Sequence, residues 1–466
     1  MSAMASGRPV GEIIEDLGYG PSQFITAALV GTLWLMFGAV TTALSTAKNT
    51  LTSTWGISGA QVGTLSSMKS FGGLLGIIIG GPLSDYVGRK PPVVLSLVLT
   101  SICCVLAGLS ENYWSLLCVM FVTGICVYIA EPAGVALMME TPPKDRKIVS
   151  QGFAFNMWSV GTLYVCMLLC LDDPQMTNVD WQFIMFLVAV PAVVFFLASG
   201  LFLQESPVWL ATRDVQAAKR NLEWMMFWNS SEKVDVEVVN ESSSSTTRVS
   251  FSEALLGKNL FTTFAICWGF VVYNMASTGG NYAFPSLLSD VSTTSPVATL
   301  AAGALLEVPG NMLAIWMTAF PRRIVFVLYL CGMGSCLATL ALATTFGVYG
   351  TAGLTNMFDC CYYFNKLFMQ FGGTVLHVYV CELYAAEFRG RAFAFASAVG
   401  KVSGILAPTL FELMHATAFL WTIVVISIVN LILFLYLPET MPFRDDTVLT
   451  QEEWQKEAAA KPLSDQ

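Results

Sequence analysis

The chain contains twelve apolar runs, and this repetition constrains the fold more than any other feature. A helix needs about 20 mostly apolar residues to cross the hydrocarbon core of a bilayer. Of the 466 residues, 55% are hydrophobic and only 12% are charged, whereas soluble domains carry about 25% charged residues. We therefore predict an all-α membrane protein whose spans, numbered 1 to 12, cover residues 24–47, 60–83, 91–110, 113–139, 150–171, 181–203, 259–280, 297–319, 324–345, 363–383, 391–413 and 417–437.

The lysines and arginines indicate the orientation of the spans. Of the 23 in the chain, Lys69, Lys366 and Lys401 lie inside spans, and only Lys48 lies in the loops that follow odd-numbered spans. The others lie in the alternate loops and the two termini. Because cytosolic loops are enriched in lysine and arginine, we predict that both termini are cytosolic. The opposite side is called the outer side, and the membrane is expected to be the plasma membrane or a vesicle membrane.

A polar segment divides the spans into two sets of six. After span 6, Ser206 and Pro207 predict the start of an amphipathic helix over 206–228 that lies on the membrane surface. The Ser-rich stretch that follows is typical of a disordered linker. The expected domains are a cytosolic N-terminus (1–23), a six-helix half (24–203), a central loop (204–258), a second six-helix half (259–437) and a cytosolic tail (438–466).

Similar loops in the two halves indicate an internal duplication. LQESPVWL follows span 6 and YLPETMPF follows span 12. Glu140 and Arg146 flank the loop after span 4, as Glu382 and Arg389 flank the loop after span 10. Two matched six-helix halves are typical of transporters whose substrate lies between the halves, near the middle of the membrane. We expect these flanking charges to take part in conformational change.

The most specific motif, GPLSDYVGRK, follows span 2 and ends at Lys90. It fits the pattern G-x-x-x-D-x-x-G-R-[RK] at every fixed position. Gly88 permits a tight turn, while Arg89 and Lys90 favour a cytosolic loop. Asp85 can accept hydrogen bonds from a helix N-terminus or pair with a base across the interface between the halves. Our hypothesis is a latch that forms in one conformation only.

The motif resembles the signature of the major facilitator superfamily. GYGPSQF before span 1, QESPVWL after span 6, LLEVPGNML in span 8 and CELYAAEFRGRAFAFASAVGKVSGILAP across spans 10 and 11 are similar to organic-ion transporters and synaptic vesicle glycoprotein 2-like proteins. The resemblance runs from Gly18 to Thr440. It implies the major facilitator fold with two pseudo-symmetric halves, alternating access and a small organic solute.

Three departures from the family pattern bear on mechanism. Met120 stands where members usually carry an arginine, four residues before Gly124, and span 1 lacks the acidic residues of several members. The second-half counterpart of the motif lacks its aspartate. The first two losses argue against proton coupling through those groups. They also support an alternative in which the protein keeps the fold but serves as a vesicle component or receptor.

Four charged residues lie deep within the spans. At a rise of 1.5 Å per residue, Lys69, Glu131, Glu307 and Lys401 lie roughly 12–15 Å from the helix ends. Charges at this depth mark functional paths or form internal salt bridges. The resemblance implies a charged residue at the position of Lys401, where a base goes with anions and an acid with cations. Lys366 matches a family lysine at the outer end of span 10, and we expect partial solvation there.

These charges and nearby aromatic and amide groups form the candidate substrate site. The other candidate lining residues are Tyr128, Phe155, Trp158, Tyr164, Tyr273, Asn274, Asn311 and His377. An aromatic cavity with few polar groups suits a small amphipathic ligand. We expect transport of a small organic anion held by Lys401, either facilitative or coupled to H⁺ or another ion. The alternative substrate is an organic cation with Glu131 or Glu307 as counter-ion.

The sequence does not indicate an enzyme. The chain has only two histidines, and its twelve cysteines lack metal-ligand spacing. It contains no phosphate loop, and the central loop is too short for a nucleotide-binding domain. We expect no catalysis, cofactor, metal or nucleic-acid partner. The expected partners are the lipid bilayer, a small organic ion and H⁺, and the expected state is a monomer.

An epitope inserted at Ser243 tests the predicted topology. Antibodies should reach it only in permeabilised cells, because the Ser-rich linker is expected in the cytosol. Immunofluorescence of intact and permeabilised cells makes the comparison. Staining of intact cells that carry the protein in the plasma membrane would reverse the orientation of every span.

Overall fold

The computed structural model describes residues 8–230, 260–291, 295–317, 320–346, 352–384 and 389–437. In these ranges, eleven helical stretches are long and apolar enough to cross a membrane. A further long helix, Ala352–Leu383, is more polar and coincides with predicted span 10. The all-α membrane fold expected from the sequence is confirmed.

The helices are labelled in chain order. The first half contains α1 (Val10–Leu17), α2 (Pro21–Thr46), α3 (Lys48–Trp55), α4 (Gly59–Val87), α5 (Lys90–Gly108), α6 (Tyr113–Tyr128), α7 (Glu131–Glu140), α8 (Lys147–Asp172) and α9 (Trp181–Phe202). The segment after it contains α10 (Pro207–Ala211) and α11 (Val215–Asn229). The second half contains α12 (Leu260–Val291), α13 (Pro296–Trp316), α14 (Arg322–Thr345), α15 (Ala352–Leu383), α16 (Arg389–Leu413) and α17 (Ala416–Leu435).

Span 4 is interrupted in the middle. α6 ends at Tyr128, and α7 begins at Glu131 with Pro132 in its first turn. Proline is tolerated at a helix start, but inside a helix it removes a hydrogen bond and clashes with the preceding turn. Pro132 therefore coincides with an interruption of the helical hydrogen bonds at Ile129 and Ala130, whose φ and ψ angles stay helical, and Glu131 begins the next helical segment.

The amphipathic helix expected over 206–228 is two helices instead of one. Ser206 caps α10, as its sequence context predicts. Asp214 then accepts hydrogen bonds from two backbone N–H groups and starts α11 as a new helix. The apolar face of α11 packs against α1, which the sequence analysis did not predict. Their small core contains Val10, Ile13, Ile14, Leu17, Ala211, Ala218, Leu222 and Met225.

Helix packing repeats between the two halves. α2 packs against α8 as α12 packs against α16, α4 against α6 as α13 against α15, and α5 against α9 as α14 against α17. The contacts between the halves repeat as well, since α4 packs against α16 and α8 against α13. The duplication inferred from the loops therefore extends through the bundle, whose two halves are pseudo-symmetric.

Glycines bring α4 and span 4 into close contact. A side chain at Gly72, Gly76 or Gly80 would collide with backbone carbonyl oxygens of span 4. Gly124 faces the carbonyl of Lys69 in the same way. Small residues commonly permit such backbone approach in membrane helices. This packing fixes the height of Lys69 relative to span 4.

One arginine–glutamate pair occurs in both halves. Arg89, after α4, lies 3.2 Å from Glu140 at the end of α7. Arg322, at the start of α14, donates hydrogen bonds of 3.0 and 2.7 Å to the two oxygens of Glu382 near the end of α15. Only 2% of Arg322 is exposed. Two-pronged pairing of this kind is both strong and directional, so the pair holds α14 and α15 together at the predicted cytosolic side.

Arg322→Ala should destabilise the protein more than Arg323→Ala. Removal of Arg322 leaves the partly buried Glu382 carboxylate without two charged hydrogen bonds, and each such bond contributes about 1.5–3 kcal/mol. Arg323 is the matched control, since its side chain is exposed and donates a 2.9 Å hydrogen bond to the carbonyl of Leu437. Thermal unfolding in detergent measures both variants. Equal melting temperatures would contradict a stabilising role for the Arg322–Glu382 pair.

Candidate substrate site

Five charged side chains are buried between the helices of the two halves. They are Lys69 on α4, Glu131 on α7, Glu307 on α13, Lys366 on α15 and Lys401 on α16. Each is at most 8% exposed. Because charge inside a bilayer is costly, such groups need partners or a water-filled cavity. Their contacts divide them into two groups.

The first group is a saturated ion pair. Lys366 Nζ lies 3.0 Å from Glu307 Oε1 and also donates to Asn281. Glu307 Oε2 accepts a 2.7 Å hydrogen bond from Ser159 of the other half. The expectation of partial solvation at Lys366 is therefore wrong, since protein acceptors replace water. Glu307 is also not the partner of Lys401 in this structure.

A small cavity, with room for about one water molecule, lies beside this ion pair. Its walls come from both halves and consist of Trp158, Tyr273, Ala276, Ser277, Gly280, Asn281, Phe284, Glu307, Asn365, Lys366, Met369 and Gln370. Asn365 Oδ1 is buried without a hydrogen-bond partner in the described part of the chain. Trp158 and Tyr273 thus lie where the sequence placed them, and Asn365 and Gln370 are lining residues that it missed.

The second group has no saturated pair. Glu131 Oε2 is buried and has no hydrogen-bond partner among the described residues. Lys401 Nζ lies 4.0 Å from the centre of the Tyr128 ring, and no hydrogen bond joins it to the part of the chain that the structure describes. Lys401 attracts Glu131 and repels Lys69 electrostatically. Lys69 itself donates a 2.6 Å hydrogen bond to Thr41.

The charges of this second group do not cancel. Ionised Lys69 and Lys401 carry two positive charges, and ionised Glu131 carries one negative charge. The Lys366–Glu307 pair is neutral as a whole. When all five groups are ionised, the buried site therefore carries an excess of one positive charge. Since unpaired charge in a low-dielectric environment is unfavourable, this arrangement is electrostatically suited to a monovalent anion.

Aromatic rings surround the second group. Tyr128, under the Lys401 ammonium, packs against Phe37 with 4.4 Å between ring centres. His377 contacts four other rings at centre distances of 4.8 to 5.7 Å, and its Nδ1 donates a 2.7 Å hydrogen bond to the carbonyl of Gly373. Those four rings belong to Phe155, Phe270, Tyr273 and Phe393. Flat apolar walls of this kind favour contact with a flat organic molecule.

Three expected lining residues hold helices together instead. Tyr164 donates a 2.8 Å hydrogen bond to a backbone carbonyl of α9. Asn274 donates to a carbonyl one turn earlier in its own helix. Asn311 bridges side chains of α8 and α15. Their polar groups are satisfied within the protein, so they are less available to a ligand than Asn365, whose amide oxygen has no partner among the described residues.

The motif after span 2 is held by residues of its own half. The carboxylate of Asp85 lies 3.3 Å from the Arg89 guanidinium. The backbone N–H groups of Arg89 and Lys90 donate hydrogen bonds of 2.7 and 3.1 Å to Glu205, which the sequence marked only as part of the repeat. Gly88 has φ +105°, and a side chain there would meet the Glu205 carboxylate. The motif therefore forms a tight turn around a carboxylate.

Other basic residues near the predicted cytosolic loops have separate environments. Lys90 Nζ donates a 3.1 Å hydrogen bond to the carbonyl of Gly200 at the end of α9. Arg213 donates to carbonyl groups of the motif and so joins α10 and α11 to it. Arg146 is exposed, and the side chain of Arg389 lies outside the described residues. Among the described side chains of the four loop-flanking charges, Glu140 and Glu382 form ion pairs.

An outer cluster, missed by sequence reasoning, joins the halves at the opposite end. Lys48 forms an ion pair with Glu412 of α16, and Tyr282 donates a 2.8 Å hydrogen bond to the same carboxylate. Lys48 Nζ also lies 5.7 and 5.6 Å from the ring centres of Tyr282 and Phe411. In the sequence, this cluster was indicated only by Lys48, the single basic residue of the predicted outer loops. The cluster closes the interface between the halves at this end.

Lys48→Met should open the outer end more often, because Glu412 would lose its charge partner across the interface. A pair of this partial exposure contributes about 0.5–1 kcal/mol, which corresponds to a shift of about 2–5-fold in the open population. A cysteine placed at cavity residue Ser277 should then react faster with a membrane-impermeant thiol reagent added outside. Glu111→Gln, in an exposed outer loop, is the control. Equal rates in the two variants would contradict a gating role.

Comparison with known proteins places this geometry in context. A family model described as "Sugar (and other) transporter" matches residues 22–443. Transporter svop-1 of Caenorhabditis elegans is 22% identical over 412 residues, which cover 86% of this chain and 78% of svop-1. The niacin transporter NiaP of Acinetobacter baylyi is 24% identical over 438 residues, which cover 91% of this chain and 95% of NiaP. The solved proton:xylose symporter XylE, bound to 6-bromo-6-deoxy-D-glucose, has a TM-score of 0.72 at 18% identity and covers 91% of this chain and 97% of its own.

Proposed function

Because the chain belongs to the sugar (and other) transporter family of the major facilitator superfamily, we propose that it carries a small organic anion across the membrane. Transport proceeds by alternating access, in which the site between the halves opens to one side at a time. The observation that supports an anion is the excess positive charge of Lys69, Lys401 and Glu131. This excess attracts a monovalent anion, and it does not attract a neutral sugar.

Lys401 is the residue that we expect to hold the negative group. Its ammonium contacts the face of Tyr128, and a cation–π contact retains a lysine without cancelling its charge. Lys69 is less available, because it already donates to Thr41. Lys366 is engaged by Glu307 and Asn281. An ammonium without hydrogen-bond acceptors is the natural partner for a carboxylate.

The aromatic walls and the cavity amides support a small, flat substrate. The cavity has room for only about one water molecule in this structure, so a substrate enters when the halves move apart. Rings such as Phe155 and Tyr273 can stack against a planar body, while Asn365 and Gln370 supply hydrogen bonds. Niacin, in the name of the relative NiaP, is a small aromatic carboxylic acid. We therefore infer that aromatic monocarboxylates are the first substrates to test.

The rival substrate, an organic cation, has less support from the contacts. Both oxygens of Glu307 are already bonded. Glu131 Oε2 has no hydrogen-bond partner among the described residues, but Lys401 already attracts its carboxylate, and a bound cation would add to the excess positive charge. The other alternative, a receptor-like member of the fold, predicts ligand binding without flux.

Lys401→Ala should abolish uptake while fold and expression survive. Loss of a charged hydrogen bond of about 1.5–3 kcal/mol corresponds to about 10–100-fold weaker transport. Lys401→Arg should retain part of the activity, because arginine keeps the charge but not the geometry. Lys144→Ala, an exposed lysine, is the control. The measurement is uptake of radiolabelled nicotinate, with tetraethylammonium as the cation probe, by purified protein in liposomes.

Three results would contradict this function. Uptake of tetraethylammonium alone would favour the cation carrier, and ligand binding without flux would favour the receptor. The third result concerns a structural role for Lys401. If Lys401→Ala fails to express, and neutralisation of Glu131 in the same chain restores both expression and transport, Lys401 is a structural bridge.

A further inference from the structure

Glu131 is a buried acid whose contacts do not explain its burial. It is 4% exposed, begins the half-helix α7 and leaves Oε2 without a hydrogen-bond partner among the described residues. Buried polar atoms in proteins are normally hydrogen-bonded. Glu307 shows the usual structural arrangement, because each of its oxygens has a bonded partner. The contrast points to a role for Glu131 that requires a change of partner or of protonation.

The groups that face Glu131 make its charge dependent on the substrate site. Lys401 attracts its carboxylate. Packed beside it, α2 carries no titratable residue. The titratable groups around it on packed or adjoining helices are Lys69 on α4, Tyr128 on α6, Tyr273 on α12, His377 on α15 and Lys401 on α16. A substrate anion and the Glu131 carboxylate would therefore compete for the same cation, Lys401.

We propose that Glu131 binds a proton when the substrate anion binds Lys401, so that one anion and one H⁺ cross the membrane together. This inference rests on the proposed anion transport. In the empty carrier, Lys401 stabilises the Glu131 carboxylate. A bound anion occupies Lys401 and brings a second negative charge close to Glu131. Like charges in a shared buried site favour protonation of one of them, so Glu131 takes up a proton from water on the open side.

The same competition releases the proton on the other side. When the anion leaves, Lys401 again faces Glu131, and the carboxyl group loses its proton to water. With a monovalent anion, substrate and proton together add no net charge to the site. The loaded and empty carriers therefore reorient with the same buried charge. Transport should respond to a pH gradient and be insensitive to membrane potential.

Glu131 packs beside α2, a span that contains no acidic residue of its own. α2 forms the first span, and Glu131 lies on α7, which packs against α2 and against α16, the helix of Lys401. Glu131 is thus the described buried acid that both borders the anion site and lacks a saturated set of partners.

Glu131→Gln separates proton coupling from anion exchange. In proteoliposomes, wild-type protein should accumulate radiolabelled nicotinate when the interior is alkaline, and a valinomycin-imposed potential should change this accumulation little. Glu131→Gln mimics the protonated carboxyl group, so its nicotinate counterflow should persist but should no longer depend on pH. It should lose accumulation driven by the pH gradient. Glu223→Gln, an exposed carboxylate on α11, is the control and should behave as wild type.

A binding measurement gives an independent readout. In weakly buffered detergent solution, saturation of wild-type protein with nicotinate should take up about one proton per site, and Glu131→Gln should take up none. Gradient-driven accumulation by Glu131→Gln, or loss of its counterflow in a folded protein, would overturn the coupling role. So would wild-type accumulation of nicotinate that ignores the pH gradient. If wild-type protein neither binds nor exchanges nicotinate or the other anions of a labelled panel, the anion function itself fails.

Discussion

The bilayer core contains no water to stabilise a lysine or a glutamate, and this constraint organises the protein around its buried charges. Lys366 and Glu307 meet the constraint with protein partners, so they need nothing from outside. Lys401 and Glu131 meet it only in part, because each is near an opposite charge but lacks hydrogen bonds. The incomplete satisfaction of this second pair leaves room for a ligand. The candidate site therefore consists of the charged groups, Lys401 and Glu131, that the protein leaves without full hydrogen bonding.

The bundle is symmetric, but its chemistry is not. Helix pairs repeat from one half to the other, and Arg89–Glu140 is repeated by Arg322–Glu382. At the centre, by contrast, the second half supplies a saturated pair while Glu131 and Lys69 come from the first half alone. A duplicated scaffold thus provides two bodies that can rock against each other, and the unpaired charges provide a directional site between them.

Much of the fold follows from the sequence, while the pairing of charges does not. Span lengths and positions follow from runs of apolar residues, and the break before Glu131 follows from Pro132. Residue counting placed Glu307 and Lys401 at similar depths, yet Glu307 pairs with Lys366. Depth depends on the rise along one helix, whereas partners depend on which helices are neighbours and how each is rotated. The short helix α1 was missed because its apolar face acquires a partner only when α11 folds against it.

The glycine contacts of α4 have a consequence for how specificity can evolve. Gly124 lies against the carbonyl of Lys69, and Gly73 lies beneath the Tyr128 ring. Because backbone meets backbone, α4 and span 4 cannot slide past each other without steric clash. The spacing between Lys69 and Tyr128 is therefore nearly fixed. The cavity walls from the second half consist mainly of side chains, which can be exchanged without moving a helix. Descendants of this protein that accept larger solutes should differ from it mainly in α12 and α15.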